Sequence, residues 1–320
     1  MNRNRIYFGL LMLMLVIVIV SSAYQMLNAG KKEETYHVSV IVDDGNSDRW
    51  IAMREGLEHA ARDNHVDLNF VFYGKFGSIE EELELVRREL ENGADGVIVQ
   101  PVSGTEVFEV FEEISAKAAV VLLESDVEPQ GLYGVVGPNN KEIGQALGNE
   151  IAEKLGDSLK GKTIGILCGN QEQIAMQERL VGVQEALEGT EAQILWILEN
   201  HFGQGKESLE EYDGNAPVEI LIALGNEETE QAVDYVLTKS CLLYGVGCSE
   251  KAVYYLDKGL IQSMVVPNEF NMGYLSVEQI AGQLGYRLSQ TEGREVGYLV
   301  IDRENLYREE TQKILFPIVQ

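Results

Sequence analysis

The sequence predicts an α/β protein of two similar Rossmann-like lobes, each a parallel sheet covered by helices, with an apolar membrane segment ahead of them. Three observations carry this reading. Short β-rich runs alternate with amphipathic helical stretches from Tyr36 onward, and a second set of such runs begins near Leu132. No low-complexity linker separates the two sets, which suits lobes joined by several short crossings better than two independent beads. At 320 residues the chain is long enough for two domains of ordinary size, each burying its own core.

In the first set, VSVIV from Val38 precedes a helical stretch whose Trp50, Met53, Leu57 and Ala61 share one face. LNFVFY from Leu68 precedes Ile79, Leu83, Val86 and Leu90 at the same spacing, and GVIVQP and AVVLLE follow with a further helix between them. None of these runs shows the strict polar alternation of a sheet with one wet face, so both faces are expected under helices, which implies parallel strands. The pattern then starts again. LYGVVGPNN leads into a helix from about Lys141 to Leu155, and TIGILCGN, AQILWIL, EILIALGN and CLLYGVGCS supply four more strands. IQSMVVPNEFNMGY, a helix and GYLVIDRENL add a crossover segment and terminal strands. Ten or so strands in two sets are too many for one compact open sheet and suit two lobes.

The N-terminal segment differs in kind. Arg3 and Arg5 precede an almost unbroken apolar run, Ile6 to Val20, whose length lies between a signal peptide's apolar region and the roughly 20 residues of a full span. Ser21 to Leu27 can extend it, and small-residue cleavage sites lie around Ser21 to Ala23 and near Ala29, so an uncleaved transmembrane anchor and a cleaved signal both fit. The positive-inside rule places Arg3 and Arg5 in the cytoplasm and the rest of the chain outside.

Charge and cysteine usage exclude other classes. Lys plus Arg number 25 against 52 Asp plus Glu, and a net charge of -27 argues against binding nucleic acid or an anionic membrane surface through bulk electrostatics. Cys168, Cys241 and Cys248 have no CxxC spacing and no nearby histidines, and read as buried thiols. His37, His59, His65 and His201 are scattered and form no HExxH pattern. There is no G-x-x-x-x-G-K-[ST] phosphate loop, and GLYGVVG lacks the spacing of a dinucleotide site, so neither an enzyme nor a cofactor is expected. Asp43, Asp44 and Asp48 cluster after the first strand, where aspartates cap helices or line turns more often than they bind a metal.

The order of elements and several local signatures together resemble the ribose- and galactose-binding branch of the periplasmic binding proteins, the type I solute receptors. The signatures are a strand followed by NSDRW and a helix, ENGADGVIVQPVSG, QERLVGVQEAL, IALGNEETEQAV, YGVGCS and VVPNEFNMGY, and the resemblance spans about Tyr36 to Gln320. ENGADGVIVQP is the most telling, because a helix end near Gly93 runs into a buried strand that a proline stops. The same fold serves lactose-repressor-like regulators, but those carry a DNA-binding helix-turn-helix where this chain has its apolar segment. The apolar segment makes 1–35 a cytoplasmic stub, a membrane anchor or signal, and a short linker. The resemblance implies a first lobe of 36–138 plus about 267–292, a second of 139–266 plus about 293–320, and a multi-crossing hinge between them.

Residue by residue, the resemblance implies a ligand cleft lined by Ser47, Asp48, Trp50, Glu124, Ser125, Arg179, Phe202, Asn226 and Asn268. Trp50 matches an aromatic that stacks on a ligand ring, with Ser47 and Asp48 as partners for edge hydroxyls; its spacing with Met53 and Leu57 equally fits the start of an apolar helix face. Glu124 matches a hydroxyl-accepting carboxylate, and Ser125 a position that is often arginine in the family. Arg179 matches a ligand-contacting arginine, its alternative being an exposed helix charge. Phe202 matches a second cleft aromatic or a hinge-side packing residue. Asn226 stands at a strand's carboxyl end, as a ligand contact or a helix cap.

Two departures stand out: in YGVGCS the usual aspartate is replaced by Gly247, followed by Cys248, and in VVPNEFNMGY the usual glutamine is replaced at Pro267, leaving Asn268 as the nearest polar group. Unpaired buried polar groups cost about 1 to 3 kcal/mol each, so losing two hydroxyl partners argues against an ordinary hexose or ribose and leaves an altered sugar, a polyol or another small polar molecule. The expectation is a membrane-tethered or secreted extracytoplasmic solute-binding protein. Its expected partners are a small polar, sugar-like ligand and either the permease of an ABC transporter or the ectodomain of a sensor kinase. A protein-binding ectodomain that has lost its ligand is the alternative.

Overall fold

The computed structural model describes residues 7, 12–22, 35–42, 49–72, 76, 78–128, 131, 133–199, 209–286 and 293–317. The chain divides into two units, Met1–Thr35 and Tyr36–Gln320. In the first, residues 12–22 are helical, roughly 16 Å of helix against an apolar bilayer core of about 30 Å. Among the described residues no helix is long and apolar enough to cross a membrane, so the expected span is not present in the described part of Ile6 to Val20. The flanking residues 8–11 and 23–34 lie outside the described residues.

The main unit holds two six-stranded sheets. The first contains β1 (Tyr36–Val42), β2 (Val66–Phe72), β3 (Gly96–Val99), β4 (Ala119–Leu123), β5 (Gly134–Gly137) and β11 (Arg294–Glu295), ordered β11-β5-β4-β3-β1-β2 with every pairing parallel. The second contains β6 (Thr163–Gly169), β7 (Gln193–Glu199), β8 (Ile220–Ala223), β9 (Leu242–Val246), β10 (Ile261–Pro267) and β12 (Tyr298–Asp302), ordered β12-β10-β9-β8-β6-β7. Its first five strands repeat the order of β1 to β5, and β12 alone departs from the expected parallel arrangement, running antiparallel to β10.

Helices cover both faces of each sheet, as continuous apolar strands require. α1 (Arg49–Asn64), α2 (Ile79–Glu91), α3 (Phe108–Ser115) and α9 (Glu269–Tyr286) pack on the first. α4 (Asn140–Leu155), α5 (Ile174–Leu187), α6 (Leu209–Asn215), α7 (Asn226–Val236) and α8 (Glu250–Asp257) pack on the second, and Leu315 of α10 (Glu309–Leu315) joins its core. The cores follow the two-residue period of a strand: Val40, Ile98 and Val121 pack under α1 and α9, while Ile41, Val97 and Val120 pack on the other side with Leu83, Val86 and Phe111. β2 and β7 differ from the expectation that every run is covered on both faces. They are sheet edges with no further strand beyond them among the described residues, and Phe72 and Leu195 are exposed there.

The helix-to-strand junction read from ENGADGVIVQP forms as expected. Ser78 accepts a hydrogen bond from the Glu81 N–H at the start of α2, and its end turns at Gly93, with the Ala94 N–H donating back to the Glu89 carbonyl, before β3 enters the sheet.

The chain passes between the sheets three times: from Gly137 into α4, from Pro267 into α9, and from Glu295 to Tyr298. Backbone hydrogen bonds lace these crossings together. Val296 N–H donates to Gly137 O at 2.9 Å, and Asn268 N–H to Gly297 O at 3.0 Å. A three-stranded connection of this kind lets two lobes move about one hinge while fixing their mutual register.

Candidate functional site at the seam between the lobes

In open parallel sheets the carboxyl ends of the strands are where ligands bind, because the loops there are free to vary while the sheet holds them in place. Here the carboxyl ends of β3 and β4 in the first lobe meet those of β6 and β8 in the second. Gly104 N–H donates to Glu172 O at 2.7 Å. Asn170 Nδ2 reaches Val102 O at 2.8 Å and Gln173 Nε2 reaches Pro101 O at 3.0 Å. The loop on the first-lobe side is braced by the fully buried Glu82, whose carboxylate accepts from the Val102 N–H at 3.3 Å.

The centre of this seam is charged. Arg179 Nη2 donates to Glu124 Oε1 at 2.6 Å, with side-chain exposures of only 2% and 4%. The other guanidinium groups are used as well, Nε donating to Asn140 Oδ1 at 2.9 Å and Nη1 to Leu224 O at 2.9 Å. Gln100 Nε2 donates to Glu124 Oε2 at 2.7 Å, and Asn140 Nδ2 donates to the Glu124 main-chain oxygen at 2.8 Å. Desolvating two opposite charges is offset only when their geometry is good and their remaining donors and acceptors are satisfied, which this set of neutral partners achieves. Glu124 itself sits in the left-handed region at φ 63°, a conformation that costs a non-glycine residue on the order of 1 kcal/mol and recurs at functional sites.

Other carboxylates crowd the same seam. Burial raises the pKa of Asp126, and Glu128 adds to the effect. Burial likewise raises that of Glu178 on α5, with the charges of Asp126 and Glu128 from the opposite lobe acting in the same direction. The buried Tyr133 donates to Val127 O at 2.7 Å, and burial together with Asp126 pushes its hydroxyl up to about 12. Among the described residues no group of three or more His, Cys, Asp or Glu is placed to hold a metal.

The residues singled out in the sequence divide into those this seam gathers and those it does not. Glu124, Ser125 and Arg179 come together, Ser125 Oγ accepting from the Ala175 N–H in the first turn of α5 at 3.2 Å. Trp50 is 6% exposed and belongs to the hydrophobic cluster of Val42, Met53, Leu57 and Met272, so its helical spacing reports core packing. Arg179 is buried, not an exposed helix charge. Asn226 is the first residue of α7. Its Oδ1 accepts from the N–H groups of Cys248 and Ser249 at 3.0 and 3.1 Å, which pins the loop after β9. That loop needs Gly247: its φ is 137°, and a Cβ there would stand 2.6 Å from Asn226 Oδ1. Asn268 caps α9, its Oδ1 accepting from the Asn271 N–H at 3.0 Å. Ser47, Asp48 and Phe202, like Asp43 and Asp44, lie outside the described residues. Of the cysteines, Cys168 is fully buried and its thiol is pushed up to about 12 by burial, whereas Cys241 and Cys248 are only partly buried.

Gln100 and Asn140 were not singled out in the sequence, though Gln100 stands between the end of β3 and Pro101, and Asn140 opens α4 two residues after Pro138, where a polar residue is well placed to face the opposite lobe.

Residues 38–287 match the periplasmic binding protein domain family, well over half of the chain. The chain belongs to that family. Solved periplasmic binding proteins share its architecture over most of their length. GanP, a glucose-galactose binding protein from Geobacillus stearothermophilus, is 22% identical with a TM-score of 0.76, the match covering 86% of this chain and 99% of that one. A carbohydrate transporter solute binding protein from Agrobacterium radiobacter, in complex with D-arabinose, is 13% identical with a TM-score of 0.79, covering 88% and 98%. An ABC transporter periplasmic solute binding protein from Actinobacillus succinogenes with bound D-allose is 18% identical with a TM-score of 0.72, covering 84% and 98%. At these identities the likeness speaks for the fold. Comparison with curated protein sequences finds no match.

Proposed function

We propose that this chain is an extracytoplasmic solute-binding protein whose lobes close on a small polar solute, a sugar or sugar-like molecule. The observation that carries the reading is the family match over 38–287 combined with two sheets whose strand carboxyl ends meet across a laced, three-crossing hinge. The monosaccharides named for two structural neighbours support a sugar over other small polar solutes. Ser47, Asp48 and Phe202 are the proposed solute contacts, and Asn226, Asn268 and the Glu124, Ser125 and Arg179 group are proposed to line the same cleft. A solute touching both lobes has differential affinity for the closed arrangement and shifts the population toward it. The segment Ile6 to Val20 is proposed to hold the protein at the membrane as an anchor, or to be removed as a signal. The closed form is then read by an ABC permease or by a sensor kinase ectodomain.

One observation favours a second reading, a protein-binding ectodomain that has lost its sugar: the side chains of Glu124, Arg179, Asn226 and Asn268 already bond to protein groups. A thermal-shift panel of D-arabinose, D-allose, D-galactose, polyols, sugar acids and nucleosides separates the two. Solute at 100 times its dissociation constant stabilises the native state by about 2.7 kcal/mol, a shift of several degrees. A saturable shift with one class supports the receptor, and a folded protein indifferent to the whole panel supports the second reading.

A further inference from the structure

We infer that Glu124 and Arg179 form a latch that holds the two lobes closed with the protein's own groups, so that closure does not depend on a solute to bridge them. The inference rests on the solute-receptor reading only in assigning this latch to the regulation of that cleft.

Four observations converge on it. The ion pair joins the turn after β4 in the first lobe to the first half of α5 in the second, and it is almost completely buried. Each partner is steadied from its own side, Glu124 by Gln100 and Arg179 by the Leu224 carbonyl, while the Asn140 amide at the first crossing touches both. The same seam carries the Gly104 to Glu172, Asn170 to Val102, Gln173 to Pro101 and Ala175 to Ser125 hydrogen bonds, all running between the lobes. Finally, the matching position of the first lobe is Met53, fully buried at an equivalent helix contact, so that contact has no requirement for a charge. What explains the guanidinium is the carboxylate it reaches in the other lobe.

A latch of this kind changes what a solute does. With the closed arrangement already favoured, occupancy adds to closure and does not create it, and a membrane partner that reads closure is engaged at a high basal level. Solute groups cannot use Glu124 or Arg179 without first displacing a buried, fully satisfied ion pair, which confines the solute's contacts to other side chains of the cleft.

The test is amide hydrogen exchange on the full chain in detergent micelles with no solute added. The reporters are the Gly104 and Ala175 N–H groups, which donate across the seam. Both are expected to be protected in the wild type, and to exchange at least about tenfold faster in R179M and in the double variant E124Q/R179M. Ile98 and Ile222, inside the two sheets, are expected to keep their protection in all forms, which shows that the variants still fold; methionine at 179 mirrors Met53, and the double variant leaves no unpaired carboxylate. Reporters as fast as an exposed loop in the wild type, or equally slow in the variants, overturn the latch. Because no solute is present, neither result depends on the thermal-shift panel, so failure of the latch and failure of the receptor reading are told apart.

Discussion

In the first lobe the helix that follows the opening strand meets the helix of the second crossing beside Met53; in the second lobe the corresponding pair, α5 and α4, meets beside Arg179. The two contacts are built alike. A Cβ on Gly273 would stand 2.1 Å from the Met53 carbonyl oxygen, and one on Gly144 would stand 2.1 Å from that of Arg179. On the reciprocal glycines, Gly56 and Gly182, a Cβ would stand 2.0 and 2.1 Å from the Phe270 and Lys141 carbonyl oxygens. The crossing helices carry the same motif, PNNKEIG from Pro138 and PNEFNMG from Pro267, with an asparagine capping each and the terminal glycine at the helix contact. Packing is therefore shared between the lobes and chemistry is not. The neutral thioether in one and the guanidinium in the other separate what holds a lobe together from what the seam between lobes does.

That comparison breaks most visibly if the charge is moved. M53R places an arginine in the first lobe with no Glu124 across from it, and an unpaired buried charge is expected to cost more than about 4 kcal/mol, read as loss of soluble protein or a sharply lower urea midpoint. Tolerance of arginine at 53 would mean that the first-lobe contact is looser than its twin. G144A and G273A come next. Each forces two helices apart at a backbone contact, with an expected loss of about 1 to 3 kcal/mol, similar in the two lobes, measured by thermal unfolding. A large difference between them would show that the two contacts are not equivalent.

Smaller effects sharpen the comparison. N139A and N268A each remove an oxygen that caps a crossing helix, at about 1 kcal/mol apiece. Near their far ends the two helices are tied differently: α9 by Gln283, whose amide pairs with Val120, and α4 by Lys154, whose Nζ lies 2.6 Å from Asp302 Oδ2. Burial acts to raise the Asp302 pKa, but Lys154 and the N–H groups of Asn305 and Glu304 outweigh it and hold the carboxyl below its ordinary value. A depressed carboxylate stabilises the fold above its unfolded pKa of about 3.9, and that contribution fades as pH falls through the folded value. D302N is therefore expected to lose up to about 1 kcal/mol between pH 5 and 8 and to converge toward the wild type as pH falls below about 3.9, whereas Q283A shows a deficit that does not vary with pH. Unfolding midpoints across that range check both.

Much of this plan was readable before any coordinates. The alternation of apolar strands and amphipathic helices predicted two parallel α/β lobes because buried strands must be apolar on both faces, but the run at Leu132, read as the restart, supplies β5 of the first sheet, and the second sheet begins with β6 at Thr163. The edges were less legible, since LNFVFY and ILWIL are as apolar as the central strands and only the sheet order shows that they lie at its edges. Trp50 illustrates the limit of resemblance: its spacing with Met53 and Leu57 already pointed to the core, where it lies. Glu124 and Arg179 were legible as polar residues near the cleft but not as partners, because their pairing depends on how two separate lobes meet. Gly247 looked like a missing ligand group until its backbone angle and its approach to Asn226 explained it.

The most direct test of a solute site between the lobes is a calorimetric titration of the full chain with the panel sugar that gives the largest thermal shift, repeated on D48A and F202A. One saturable site per chain, weakened at least about tenfold in either variant, is the predicted result. Undiminished binding in both variants, or no heat from any sugar with the protein folded, would contradict it.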